Sequence, residues 1–477
     1  MSERPSDIRR TKIVTTIGPA TRTLEMMSEL IRAGADVFRF NFSHGTEADH
    51  AENVEKAREA ARSCGKEIGI LGDLPGPKLR LGDLKGGVVQ LDEGAPVTIT
   101  TADVVGDAST LPVSWGGLPK AVRLGGDVYL ADGRIRLSVE EKADDHVKCR
   151  VEAGGPVASH QGLNLPGAEV TLPSAGRNDL AWVDFAIEHG IDLLAVSFVR
   201  RAEDLEPVER RIRTSGSDIP VLAKIEKPQA AERAEAIIKA TTAGIMVARG
   251  DLGIELPLAQ VPSVQRRLIS LAGKHSRPCI TATQMLASMV SSPRPTRAEV
   301  SDVANAIYQG TDAIMLSEET AVGEHPIEAV RVMDQIARAT EPELPYAEWV
   351  FNRAESHHDV AGSVARAAVG STYTLGLAAL VVPTRSGRTA RVVSAHRPKV
   401  PVLAVSPRIE TVRRLNLLFG VQCVIADEWT GISQLLDDCS RLARETGVAK
   451  SGDLIGITAG LPSQELGTNL FEIHRVP

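Results

Sequence analysis

Two stretches decide the fold: PVLAKIEKP (220–228) and GIMVARGDLG (244–253). Each is a short apolar run that ends in charge, the mark of a buried strand emerging at a solvent-facing rim. On the first, Lys224 and Glu226 share a face, because strand side chains alternate. The second is expected to end as a strand at Arg249-Gly250-Asp251. Two carboxylates from neighbouring strand ends can hold a divalent ion, and a lysine beside them can hold a transferring anionic oxygen. That grouping suits phosphoryl or enolate chemistry. The plain alternative is a pair of surface turns with salt-bridged charges; placement at strand ends one helix apart weighs against it.

Working outward, the same alternation recurs. Strands are expected at 12–17, 36–42, 67–73, 191–199, 220–226, 244–250, 278–284 and 311–317. Helical patterns are expected at 24–33, 47–63, 177–189, 202–214, 228–240, 261–274, 296–308 and 326–339. Thr296 and Glu299 read as a capping box. Eight strand–helix repeats with near-continuous apolar strands predict an α/β fold of the (β/α)8 TIM-barrel type, whose chemistry sits at the C-terminal strand ends. A doubly wound open sheet is the structural alternative. The interval 77–170 breaks the pattern with short strands and Gly, Pro and Asp turns, and reads as an inserted all-β lid, expected as a β-barrel. From about residue 345, after PELP (342–345), strands at 378–384, 400–406, 421–427, 453–459 and 469–475 predict a separate C-terminal α/β open-sheet domain. The division is therefore 1–76 and 171–344 for the barrel, 77–170 for the insertion and 345–477 for a regulatory domain.

Bulk properties narrow the function. The 477 residues suggest about three domains. A formal charge of −7 argues against nucleic acid or an anionic membrane as principal partner. The five cysteines contain no CxxC pair, which argues against a disulfide framework or zinc cage and for a reducing, cytoplasmic setting. The opening MSERPSDIRR lacks an apolar core and does not read as a secretory signal.

Further motifs surround the central pair. In DVFRFNFSHG (36–45), Arg39, Asn41 and Ser43 alternate onto one face and Phe38, Phe40 and Phe42 onto the other. A phosphate or carboxylate ligand would satisfy Arg39 in bidentate fashion, while an internal hydrogen-bond network is the alternative. His44 is equally consistent with a structural role. In GDLPGPKLRLG (72–82), Asp73 ends the third strand, and Lys78 and Arg80 form a basic pair suited to an anionic nucleotide. Thr283 and Gln284 follow an apolar strand and place a hydroxyl on the rim. Glu318 reads as the acidic first turn of a helix; Glu319 is open between that reading and the rim. In VVPTRSGRTARVVSAHRP (381–398), a strand leads into hydroxyls, a glycine and Arg385 and Arg388 at a helix start. That turn is an anion-site candidate, set against a plain N-cap.

These segments together resemble the pyruvate kinase family. The matching runs are TKIVTTIGPAT (11–21), NFSHG (41–45), GPKLRLG (76–82), NLPGAEVTLP (164–173), KIEKP (224–228), MVARGDLGIELP (246–257), TATQMLASM (281–289), RPTRAEVSDVANA (294–306) and Ser-Gly-Arg-Thr (386–389). The resemblance implies phosphoryl transfer from phosphoenolpyruvate to ADP. It implies Mg2+ or Mn2+ on Glu226 and Asp251, substrate oriented by the Gly250 and Asp251 amides and Thr283, phosphate gripped by Arg39, and the transferring group stabilised by Lys224. Asn41, Phe42, Ser43, His44 and Arg80 would face the nucleotide. It carries a monovalent-cation site onto Asn41, Ser43, Asp73 and Leu74, and an effector phosphate site onto Thr384, Arg385, Ser386, Gly387, Arg388 and Thr389. A homotetramer is the family's usual assembly.

The chain departs from the family pattern at Gln161, where many members have lysine, and at Glu318, where glycine is common. Lys78 stands where potassium-requiring members carry glutamate, so potassium is not expected to be required and Lys78 is expected to substitute for it. Two other functions compete: a lyase using Lys224 as a Schiff-base nucleophile, and a catalytically silent metabolite sensor. Glu226 and Asp251 beside Lys224 speak against both.

Overall fold

The structure is a computed structural model and describes residues 8–131, 133–168, 172–352, 359–460 and 468–477. Eight parallel strands close into a barrel: β1 (Lys12–Thr16), β2 (Val37–Asn41), β3 (Gly69–Asp73), β4 (Leu193–Val196), β5 (Val221–Ile225), β6 (Gly244–Ala248), β7 (Cys279–Ala282) and β8 (Ala313–Leu316). Each pairs with its neighbour in chain order, and β1 closes on β8. The open-sheet alternative is excluded. The strands are buried throughout except for Asn41 and Lys224, since one face fills the barrel and the other packs on helices.

All the expected helices form. The capping box at Thr296 is present, with the hydroxyl accepting from the Glu299 amide and the Glu299 carboxylate accepting from the Thr296 amide. The 202–214 segment begins as a 3-10 turn, and 228–240 breaks at Arg233 into Pro228–Glu232 and Ala234–Ala240. Inside the barrel, Val14, Val37, Leu71, Leu222, Met246, Ile280 and Met315 pack together, and Leu417 of the C-terminal unit joins them.

The insertion after β3 has its own apolar core, including Ile99, Leu111, Val128, Leu137 and Val151. Its hydrogen bonding differs from a single closed barrel: a six-stranded mixed sheet stands beside a two-stranded one. The 163–164 strand returns the chain toward the barrel, pairing Asn164 with Tyr129.

In the C-terminal unit, β9 (Ala379–Pro383), β10 (Val402–Ser406), β11 (Val421–Ile425), β12 (Leu454–Ala459) and β13 (Leu470–Arg475) form one open sheet in the order β11-β10-β9-β12-β13. Only β13 is antiparallel to its neighbour. A helix from Val360 to Thr374 precedes this sheet. Arg397, buried under the barrel, donates to Asp312 at 2.8 Å and to the Gly310 carbonyl at 2.7 Å. Among the described residues no helix is long and apolar enough to cross a membrane.

Candidate active site

Strand register brings the singled-out residues of β2, β3 and β5 to one end of the barrel. Asn41 pairs with Asp73, and Asp73 with Ala195, so the ends of β2, β3 and β4 lie side by side. At this end Asp73 is the hub. Its Oδ2 accepts from Arg39 Nε at 2.7 Å and Nη2 at 2.6 Å, and its Oδ1 lies 3.1 Å from Lys224 Nζ. Arg39 also donates to Thr16 Oγ1 at 3.0 Å. The internal network considered for Arg39 is therefore real. It leaves part of a five-donor guanidinium uncommitted to Asp73 or Thr16.

Lys224 Nζ reaches Asp73, Glu226 Oε1 at 2.9 Å and Ser197 Oγ at 2.8 Å. Burial works to lower the pKa of this ammonium, but Asp73 and Glu226 outweigh it, and the net shift is upward. Asp73 is fully buried, which alone would raise its carboxyl; Lys224 and Arg39 reverse that and hold it below the usual range. Glu226 is pushed up by burial, with Lys224 opposing and the nearby Asp251 charge adding to the rise.

Glu226 fits a divalent cation. Its Oε2 accepts the Phe198 amide at 2.7 Å, whereas its Oε1 is buried and receives no aligned hydrogen bond despite lying close to Lys224. A buried anionic oxygen whose one close partner is the Lys224 ammonium, near enough to Asp251 for the two charges to interact, is a chemically suitable half-shell. Among the described residues no group of three or more His, Cys, Asp or Glu side chains forms a cage. A cation on Glu226 and Asp251 would complete its shell from water and substrate oxygens, as Mg2+ commonly does.

Asp251 requires a correction. β6 ends at Ala248, and Arg249–Glu255 is a helix, so Arg249, Gly250 and Asp251 form its first turn rather than a strand end. The Gly250 amide, expected to face substrate, instead donates to Thr283 Oγ1 at 2.7 Å. The Asp251 amide is third in the helix and has no carbonyl four residues back within it. Arg249 donates to the Thr283 carbonyl at 2.8 Å and to Asp302 at 2.6 Å, knitting this turn to the end of β7.

Backbone strain collects at the same rim. Phe198, Thr283 and Gln284 have φ of 55°, 67° and 53°, a region that costs non-glycine residues energy and that functional sites often retain. Ser197 and Phe198 were not singled out from sequence, although a serine inside the apolar run IDLLAVSFV was the available signal. Ser197 Oγ also donates to the Leu74 carbonyl at 2.8 Å.

The nucleotide candidates divide. Phe42 is corrected: its ring stacks on Trp182 at 4.4 Å within the core and cannot face a nucleotide. Asn41 Oδ1 accepts the Ser43 amide at 3.2 Å, and Arg80 donates to the His160 carbonyl of the insertion at 3.2 Å. The His44 pKa is lowered by partial burial and then by the positive charges of Arg80, Arg39 and Lys78. Glu319 is structural: it is buried and accepts from the Leu286 and Ser317 amides. Glu318 opens a short helix, as read.

Away from the barrel mouth, Thr384 follows β9, and its Oγ1 accepts the Gly387 amide at 3.0 Å. Gly387, at φ 79°, caps the helix Arg388–Ala395. Ser386, Arg385 and Arg388 are exposed; the two arginines pair loosely with Glu428 and Asp359. Thr389 is buried, and its hydroxyl pairs with that of Thr468 at 2.6 Å.

A parallel barrel whose mouth joins two carboxylates, a clamped lysine and converging arginines defines an enzyme that handles anionic oxygen. Comparison makes this specific. Residues 8–330 match the family description "Pyruvate kinase, barrel domain" and residues 362–474 match "Pyruvate kinase, alpha/beta domain". The chain is 39% identical over 482 residues to the pyruvate kinase of Thermococcus litoralis, covering 100% of both. It is 42% identical to pyruvate kinase 2 of Synechocystis, covering 98% of this chain and 79% of that protein. A crystal structure of a pyruvate kinase from Cryptosporidium parvum superposes with a TM-score of 0.94 at 34% identity, covering 99% and 97% of the two chains. The chain belongs to the pyruvate kinase family and is an enzyme of the phosphotransferase class.

Proposed function

We propose that this barrel mouth transfers the phosphoryl group of phosphoenolpyruvate to ADP, giving pyruvate and ATP. The observation that carries this reading is the Lys224 ammonium, held between Asp73 and Glu226 with its pKa raised. Phosphoryl transfer needs positioning and charge neutralisation more than covalent chemistry. Arg39 and Lys224 bind the phosphate oxygens, and Thr283 orients the substrate. His44, Arg80 and Asn41 line the approach of the nucleotide. An ADP phosphate oxygen attacks phosphorus, the bond to the enol oxygen breaks, and the enolate is then protonated at carbon. Mg2+ or Mn2+ on Glu226 and Asp251 would supply additional neutralisation of the substrate's negative charge. The test is a lactate-dehydrogenase-coupled assay with phosphoenolpyruvate, ADP and magnesium; absence of pyruvate formation would overturn the reading.

Glu226→Gln and Asp251→Asn are expected to raise the Mg2+ needed for half-maximal turnover by about 10–100-fold, the scale seen even for groups that merely support metal ligands. Because burial raises the Glu226 pKa, protons compete with the cation at higher pH than at an ordinary carboxylate of pKa ~4.3. The wild-type Mg2+ requirement should therefore climb as pH falls, and Glu226→Gln should lose that climb. Magnesium titrations across pH that match wild type in both variants would place the cation elsewhere.

The 384–389 turn is proposed to bind a phosphorylated effector such as a sugar phosphate or nucleotide monophosphate. It follows β9, where the sheet order reverses, the usual ligand position in open α/β sheets. The double variant Ser386→Asp, Arg388→Glu should be blind to whichever effector activates wild type in a screen. Activation that survives rejects the site. The proposed assembly is a homotetramer, the usual one in the pyruvate kinase family, and the five unpaired cysteines fit a reducing cytoplasm.

A further inference from the structure

Next to each of the two proposed metal carboxylates stands a residue that binds no substrate. Lys227 follows Glu226 immediately, and Glu255 lies one helical turn beyond Asp251. Lys227 Nζ and Glu255 Oε1 meet at 2.5 Å, with the Glu255 side chain only 2% exposed. Lys227 Nζ also sits 5.7 Å over the ring of Phe198, the residue whose amide holds Glu226. The pair therefore spans from the end of β5 to the helix after β6. It closes the segment 227–255, which contains Asp251 and begins immediately after Glu226.

The insertion touches the same pair. Asn164, 4% exposed on the returning strand, shares a small cavity with Lys227 and acts to hold the Glu255 carboxyl pKa down against burial. Gly133 of the insertion lies beside Ile254, so that a side chain at 133 would touch it. Leu163, Asn164, Leu79, Phe198 and Lys227 line one small cavity of about 30 Å³ at this seam.

We propose that Lys227 and Glu255 are positioning residues that fix the separation of Glu226 and Asp251, and that Asn164 ties the insertion's stance to that separation. The inference rests on the metal reading above. Separation of the carboxylates and stance of the insertion are then linked, and linkage is reciprocal. Divalent ion binding should steady the hinge, and a loosened hinge should no longer respond to the ion.

The test uses Mn2+ alone, followed by the electron paramagnetic resonance of free ion, with hydrogen exchange read at hinge segments 77–79 and 163–165. Lys227→Met and Glu255→Gln should each weaken Mn2+ binding by about 10-fold. The sign for Lys227→Met is diagnostic: if Lys227 acted only through its charge, removing a cation near the site would tighten Mn2+ binding. Asn164→Ala should weaken Mn2+ binding only by the coupling factor it removes, less than Lys227→Met does, and should lose the Mn2+-induced slowing of exchange at the hinge. Tighter or unchanged binding in Lys227→Met overturns the proposal, as does hinge protection that survives in Asn164→Ala. Wild-type Mn2+ binding in Glu226→Gln would instead overturn the metal reading itself, a separate failure.

Discussion

Lys224→Met is expected to lose roughly 10²–10³-fold or more in turnover, about 3–4 kcal/mol of transition-state stabilisation, with phosphoenolpyruvate affinity less affected. The ammonium is preorganised by three oxygens, from Asp73, Glu226 and Ser197, so it need not reorganise when charge develops on the transferring group. Steady-state kinetics that show near-normal turnover would end the assignment. The same substitution strands two buried carboxylates, which typically costs about 3–5 kcal/mol, so thermal unfolding must be read alongside the kinetics. Stability and turnover separate cleanly if assays are run well below the variant's midpoint.

The raised pKa of Lys224 also bears on chemistry. Its folded value lies above the ~10.4 of a free lysine, so the stability it contributes is fully present below ~10.4 and is lost only as pH rises through the folded value. An amine that stays protonated throughout the neutral range cannot attack a carbonyl. The lyase alternative needs a desolvated, neutral lysine, and Asp73 with Glu226 forbids it. Borohydride with pyruvate should leave Lys224 unmodified.

The barrel was legible because burial on both strand faces leaves an apolar run that stops where the chain meets solvent. All eight runs ended within a few residues of their expected limits. The candidate site was legible where strand register alone brings side chains together, as with Lys224 and Glu226 at the end of β5. It was illegible where tertiary partners decide. Period-two alternation extended past Asn41 assigned Phe42 to the correct face but could not show that Trp182 would stack on its ring. The apolar run MVA gives no warning that helix begins at Arg249. A charged pair such as Lys227 and Glu255, 28 residues apart, leaves no local pattern at all. Positive φ at Phe198 and Thr283 is equally hidden, since glycine would have announced it and neither position has one.

Potassium supplies the second large effect. Catalysis is expected to proceed without it, because three of the four assigned ligands, Asp73, Leu74 and Asn41, already accept a donor from this chain. Asp73 accepts from Arg39 and faces Lys224, the Leu74 carbonyl accepts from Ser197, and Asn41 Oδ1 accepts from the Ser43 amide. Lys78 packs along Gly162 of the insertion, and its charge reaches His44 together with those of Arg39 and Arg80. A monovalent cation added to that group would be repelled by about 4 kcal/mol per unit charge at ~4 Å and an effective dielectric of ~20. The ammonium and the ion are therefore alternatives. With tetramethylammonium as sole monovalent cation and magnesium constant, wild type should keep its turnover. Lys78→Glu removes one positive charge and adds a negative one, so it should collapse in tetramethylammonium and recover when potassium is added. Wild-type turnover that collapses without potassium, or a Lys78→Glu variant indifferent to it, would sink the substitution of ion by lysine.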